Sequence, residues 1–387
     1  MFRSLKEYDF TLFIIPVLLS AFGVVVVYSS SMVTAAVEGL GSTYYLKKQF
    51  QWFIIGLIFF LLFCKIPYRF YQRLMKPIIF GSIFILGYVL AFGVESNQAI
   101  RAISILGIFS IQPAEFVKVG LIIYLAAIYS KKQSKMDKFS TGVLPPLVLI
   151  SIVISLIVLQ PDLGTSAIII MIAGAILIST NIRFRHLFFL AFIGITTLLL
   201  FIPYMVTDKR IARITGAYQP FASPEGSGYH LIHSYLAIGN GGLTGQGLGQ
   251  SVQKLGFLWG AHTDFIMAVI AEELGFFGVI ITISLLLIIV LRGIYIAKSC
   301  NNDFGSFLAI GISAMVGIQS IINLGAISGL LPITGVPLPF LSYGGSSLLA
   351  MMVSMGILNN IAKSVKAQRE EAVNENPTAN KFYSYTS

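Results

Sequence analysis

Charged side chains are scarce in this chain: aspartate, glutamate, lysine and arginine make up 11% of its 387 residues. A water-soluble domain of that length carries about twice the fraction, so a soluble fold is excluded. Cysteine is nearly absent, with only Cys64 and Cys300. No CxxC pair offers metal-binding spacing, and both cysteines fall at expected helix ends, so free thiols are expected rather than a disulfide. Alternating ten-residue strand patterns are missing, which removes a membrane β-barrel. A glycine cluster at Gly239, Gly241, Gly242, Gly245, Gly247 and Gly249 lacks both a following Gly-Lys-Ser/Thr and a preceding strand, which removes a phosphate-binding P-loop. These glycines are read as backbone that bends and approaches a substrate or a helix closely.

What is present is hydrocarbon: 56% of residues are hydrophobic, and runs near twenty residues with almost no charge recur, the length that a bilayer core of ~30 Å demands. The sequence predicts an all-α, polytopic helical membrane protein with ten transmembrane helices, at about 10–29, 50–64, 77–93, 113–129, 144–160, 164–181, 186–206, 268–297, 304–328 and 340–362. The first run, Phe10 to Tyr28, is longer than a signal-peptide core and is expected to stay as an uncleaved span. Even parity puts both termini on one side. Of the 26 lysines and arginines, eighteen then fall on the face of the termini and eight on the other. By the positive-inside rule both termini are cytoplasmic, as are Cys64 and Cys300. A net charge of +10 is therefore that of short basic loops, and no nucleic acid is expected as a partner. Residues 1–363 form one membrane domain containing a large extracytoplasmic loop at 207–263; residues 364–387 are polar and are expected to be a disordered cytoplasmic tail.

This orientation brings the polar features to the outer face: the Gln98–Gln112 loop, the turn at Gln160–Gly164, the 207–263 loop and the proline-rich segment Leu330–Tyr343. Asp264 stands where the large loop enters a long apolar helix, after His262 and Thr263. A carboxylate there can take a proton from a sugar hydroxyl or hold a divalent cation, or it can cap the helix. Glu272 and Glu273, deeper in that helix, should face a cavity or a cation. Glu115 and Lys118 are three apart on the fourth span, hence on one face; they read as a functional pair or as an ion pair that holds the bundle. Arg101, Arg210, Arg213 and Lys254 add positive charge on the outer side, which a departing diphosphate would need, although each alone reads as a solvated loop charge. His230, His233 and His262 lack the further close ligand of a metal site, so none is assigned.

The motifs are specific in combination. Gln112-Pro-x-Glu115, Gln160-Pro-Asp-Leu-Gly-Thr165, the glycine-spaced run from Gly245 to Lys254 with Ser251 and Gln253, His262-Thr-Asp-Phe-Ile followed by Glu272-Glu-Leu-Gly275, and Gly329-Leu-Leu-Pro through Ser342-Tyr-Gly-Gly-Ser-Ser347 resemble the FtsW/RodA/SpoVE (SEDS) family, nearest to its Gram-positive cell-division branch. The resemblance implies a peptidoglycan glycosyltransferase that polymerises lipid II by an inverting transfer outside the cytoplasmic membrane, at the division septum. It implies partners in a class B penicillin-binding protein transpeptidase, other division proteins and membrane lipid. It gives Asp264 as general base, with Glu115 and Lys118 as the catalytic pair. Substrate contacts are expected from Arg101, Arg210, Arg213, Ser251, Gln253, Lys254, His262, Thr263, Ser342 and Tyr343. A divalent cation, Mg or Mn, is left open as a cofactor. Two departures stand out: Trp259-Gly260-Ala261 precedes His262 where members carry Pro-Glu-x, and Ala102 replaces a tryptophan before the fourth span. A lipid II flippase and a non-catalytic division scaffold are the alternatives.

Overall fold

A chain in hydrocarbon satisfies its backbone polar groups as helices or closed barrels. The computed structural model, which describes residues 7–96, 99–105, 109–205 and 207–375, takes the first solution. Its long apolar helices are α1 (Phe10–Val37), α2 (Tyr44–Lys65), α3 (Met75–Phe92), α4 (Pro113–Lys132), α5 (Leu144–Leu159), α6 (Leu163–Ile178), α7 (Phe184–Met205), α8 (Ile266–Ser299), α9 (Asp303–Ile327) and α10 (Gly345–Glu375). These coincide in number and order with the ten expected spans. Among the described residues eight are long and apolar enough to cross a membrane by length and composition, α5 when joined to the preceding turn Phe139–Val143, and α6 is shorter at 16 residues.

The ends shift where polar residues disguise a helix. α1 continues past Tyr28 through Ser29, Ser30 and Ser31, because the Ser30 hydroxyl returns to the Val26 carbonyl (2.8 Å) and Ser29 donates to Glu273 (2.6 Å). α2 starts at Tyr44 rather than near 50, and α10 runs on to Glu375, past the expected domain end at Lys363. The rest of the tail, 376–387, lies outside the described residues.

The start of α1 and the later part of α10 lie together, on one side of the bundle as even parity expects. The Asp9 amide donates to Asn359 Oδ1 of α10 (3.0 Å), and Lys363 pairs with Glu7 (2.6 Å). α4, α9 and α10 form the buried centre: α2 packs on α10, α9 on α4 and α8, and α1 lies against α2 and α8. At the opposite end a small antiparallel sheet of β1 (Val94–Ser96), β2 (Ala99–Ile105) and β3 (Phe109–Ile111) leads into α4, with Val94 opposite Ala102 and Ile103 opposite Ile111.

α8 is not continuous. Gly275 has φ +65° and ψ −161°, a conformation that side chains avoid, and it divides the helix into Ile266–Leu274 and a longer remainder. In an unbroken helix the Glu272 and Glu273 carbonyls would accept from Phe276 and Phe277. Here the glycine loop takes over both sets of groups. Gln246 N and Gly247 N donate to those carbonyls (2.9 and 3.0 Å), while Phe276 N and Phe277 N donate to Gly242 O and Leu243 O (3.0 and 3.4 Å). The loop fits because Gly245 carries no Cβ, which would stand 2.1 Å from the Glu273 carbonyl oxygen. The glycine cluster is thus a splice across a helix break, and the short half-helix it secures begins just after Asp264.

Candidate active site

Backbone bonds fix Asp264 in the turn ahead of α8. Thr263 N and Phe265 N both donate to Gly260 O (2.9 and 3.1 Å). From α9, Asn323 Nδ2 donates to Asp264 O and to Val336 O, each at 2.9 Å. The Ser342 hydroxyl donates to Thr263 O (2.6 Å) and accepts from Leu338 N (2.8 Å), and Tyr343 N donates to His262 O (2.8 Å). The proline-rich segment is therefore tied to the Asp264 turn, and Gly335 lies against the carboxylate: a Cβ there would be 3.7 Å from Asp264 Oδ2.

The carboxylate is half-buried and opens onto a cavity of about 890 Å³, within the size range of small-molecule sites. Four segments wall it: the facing ends of α1 and α2, the stretch from β2 into α4, the turn ahead of α8, and residues 335–347. Burial pushes the Asp264 carboxyl up to about 6, against the opposing pull of Arg101 and Arg213. Burial also holds the His262 imidazole down to about 4, so it is neutral near pH 7.

Glu115, His262, Thr263 and Tyr343 line this cavity with Asp264. Lys118 lies behind Glu115 and is fully buried. Its Nζ donates to Glu115 Oε1 (3.0 Å) and to Gln319 Oε1 of α9 (3.1 Å). Arg101 is half-buried in a 3.6 Å ion pair with Asp162, whose other contacts are Gln112 Nε2 (3.1 Å) and the first turn of α6 through Thr165. Arg213 is exposed on the outer helix Asp208–Tyr218, and the Arg210 side chain lies outside those described. Ser342 acts as the staple between segments.

Ser251, Gln253 and Lys254 stand away from the cavity wall, in a second buried cluster. Lys254 Nζ donates to Glu273 Oε1 (2.7 Å) and Ser29 Oγ (2.9 Å). Glu272 accepts from the Ser251 hydroxyl and from Val252 N (3.2 Å) and Gln253 N (3.3 Å). Gln253 Oε1 meets His233 Nδ1 at 2.7 Å. Glu272 and Glu273 therefore face an internal cation and loop amides, and these hydroxyl, amide and ammonium groups hold the loop on α8.

Several residues that position the site were not singled out from sequence. Gln319 and Asn323 were findable: two amides four apart in an apolar span share a face, and such groups are placed there for a partner. Thr34, Glu38, Tyr44, Tyr45 and Trp52, which line the cavity from α1 and α2, left no such signal, since interfacial tyrosine and tryptophan are ordinary.

Comparison with known proteins converges on one family. The sequence profile described as Cell cycle protein, FtsW/RodA/SpoVE, matches residues 10–367. The probable peptidoglycan glycosyltransferase FtsW of Bacillus subtilis (strain 168) is 46% identical over 94% of this chain and 93% of its own. The same organism's stage V sporulation protein E is 39% identical over 92% of this chain and 97% of its own. Among solved structures, a chain from work on structural coordination of polymerization and crosslinking by a peptidoglycan synthase complex superposes with a TM-score of 0.75 at 26% identity, covering 92% of this chain and 98% of that one. The rod shape determining protein RodA of Thermus thermophilus gives 0.68 at 26% identity over 92% and 97%. With ten apolar helices among its described residues in the expected order and a profile match over nearly its whole length, this multi-pass membrane chain belongs to the FtsW/RodA/SpoVE family.

Proposed function

We propose that this chain is a peptidoglycan glycosyltransferase that polymerises lipid II on the outer face of the cytoplasmic membrane, with Asp264 as its general base. The observation that carries the reading is a carboxylate raised to about 6 at the wall of a cavity of about 890 Å³. A base poised just below neutrality is ionised at the working pH and still takes a proton effectively. Names borne by relatives, peptidoglycan glycosyltransferase among them, support the same chemistry.

In the proposed step Asp264 takes the proton of the acceptor 4-hydroxyl. The freed oxygen forms a bond to the anomeric carbon of the donor sugar as the bond from that carbon to the undecaprenyl diphosphate breaks, and the configuration inverts. Proton removal by a placed base contributes ~10²–10⁴-fold. Arg101 and Arg213, whose fields already reach Asp264, offer positive charge for the departing diphosphate. Lys118 pairs with Glu115 at the cavity wall, so Glu115 does not compete with Asp264 for the acceptor's proton. Among the described residues no group of three or more histidine, cysteine, aspartate or glutamate side chains is arranged to hold a metal ion. The proposed step uses the chain's own groups.

A class B penicillin-binding protein transpeptidase is the proposed partner, and the division septum the proposed place. The likeness to a chain of a peptidoglycan synthase complex supports the first, and the FtsW-named relatives support the second. The test is lipid II polymerisation by the purified chain with that partner. Wild type should build glycan strands and Asp264→Asn should lose at least about 10²-fold of the rate. Strands of normal yield from Asp264→Asn, or lipid II translocation in proteoliposomes without polymer, would contradict the proposal.

A further inference from the structure

The cavity has a wall that the proposed proton transfer does not use. Tyr45 is its centre: its ring meets Tyr44 edge-on (centroids 5.3 Å, 89°) and Tyr343 edge-on (5.0 Å, 89°), and tilts onto His262 (4.7 Å, 41°). Tyrosines at a membrane surface ordinarily reach toward headgroups. Tyr45 and Tyr343 are instead half-buried and turned onto the cavity. At the rim, Trp259 leaves 75% of its surface open, an apolar ring with nothing laid over it. Hydrogen-bonding groups stand beside the rings: Thr34, Glu38, Ser346 and Ser347 line the same cavity, and Glu38 Oε2 accepts from the Tyr45 hydroxyl at 2.5 Å.

Aromatic faces ringed by hydroxyl and carboxylate acceptors suit a molecule with an apolar face and polar edges. A pyranose is that molecule: its axial C–H groups present the face and its equatorial hydroxyls the edges. The wall does not suit a phosphate, because the Glu38 carboxylate stands on it and its cation, Lys48, lies over the Tyr44 ring (5.9 Å). It does not suit an acyl chain, which would strip water from the Glu38 carboxylate and the wall's hydroxyls. The cations that act on Asp264 come from other segments, β2 and the outer helix Asp208–Tyr218. Ring-bearing and cation-bearing parts of the site thus arise from different pieces of chain.

We propose that Tyr44, Tyr45, Tyr343 and Trp259 form a saccharide subsite that holds the acceptor sugar on its apolar face with a hydroxyl turned to Asp264. The assignment of the sugar as an acceptor, and as a β-linked aminosugar, rests on the glycosyl-transfer reading; the binding of a pyranose does not. The subsite and the base are held in register by the two bonds already described, Tyr343 N to His262 O and Ser342 Oγ to Thr263 O. A neutral His262 completes the wall without adding charge.

The molecule carries its own probe. It has two tryptophans, and both Trp52 and Trp259 line this cavity. The full-length chain in detergent would be titrated with β-1,4-linked N-acetylglucosamine tetramer, which has no lipid, phosphate or peptide, and tryptophan emission recorded. A saturable change is expected from wild type. Tyr45→Leu should weaken the apparent affinity about tenfold, the equivalent of ~1.4 kcal/mol, while Tyr45→Phe keeps it. Should Tyr45→Leu not fold, Trp259→Leu, altered at an exposed position, leaves Trp52 as the reporter and should weaken binding in the same direction. No saturable change, an equal response to maltotetraose, or a response to undecaprenyl phosphate with none to the aminosugar would overturn the subsite. Binding without lipid II polymerisation would sink the proposed reaction and leave the subsite standing; polymerisation with no aminosugar response would do the reverse.

Discussion

Replacing Asp264 by asparagine should make the protein more stable as it makes it inactive. Burial raises the carboxyl from its ordinary 3.8 to about 6, so the folded chain holds that proton more tightly than the unfolded chain does. At 1.36 kcal/mol per pKa unit, the ionised form costs the folded state up to about 3 kcal/mol, an upper bound because the cavity admits water. The sign follows from linkage. Well below its ordinary 3.8 the group is protonated in both states and contributes no penalty. As pH rises the unfolded state ionises first, and above about 6 the full cost is present. Asp264→Asn removes the ionisation at every pH. Melting temperatures of wild type and Asp264→Asn in one detergent, taken from pH 4 to pH 8, should coincide near the acid end and diverge in favour of the variant above pH 6. Equal stability across the range, or a wild type that is more stable at pH 8, would mean that the carboxylate is solvated or ion-paired and would refute the reasoning.

Two further outcomes follow from the buried cluster on α8. Lys254→Met leaves Glu273 charged and without its cation at 1% exposure, with the Ser29 hydroxyl as its remaining donor, and should cost about 3–5 kcal/mol; Lys254→Met with Glu273→Gln should recover much of it in a thermal melt. If that double variant also polymerises lipid II normally, Lys254 serves the loop and not the substrate. Gly245→Ala drives a Cβ to 2.1 Å from Glu273 O at φ +79° and should lower the melting temperature and the activity together, whereas Gly239→Ala, with nothing within 4 Å, should be tolerated.

The membrane frame was legible because its signal is redundant: each span repeats the same apolar run, and eighteen basic residues agree on the inner side. The ends were less so. A serine run reads as the end of a span, yet Ser29 and Ser30 satisfy their hydroxyls inside α1. The site was legible as to Asp264, Glu115, His262, Thr263 and Tyr343, which the fold gathers on one cavity. It was not legible as to Lys254, because a charge in an outer loop looks solvated until a glutamate nineteen residues later folds onto it. Nor was the aromatic wall, for which only the approach of α1, α2 and the 335–347 segment turns common interfacial residues into one surface.

The central claim is that Asp264 is the base, and the pH dependence of wild-type polymerisation tests it most directly. The rate per enzyme at lipid II concentrations well below saturation, with the transpeptidase partner present, should fall tenfold per unit as pH drops below about 6 and level off above it. Asp264→Asn, measured in parallel, should leave a small residual rate without that acid limb. A wild-type profile that stays flat down to pH 4.5, or an acid limb that persists in Asp264→Asn, would contradict the account.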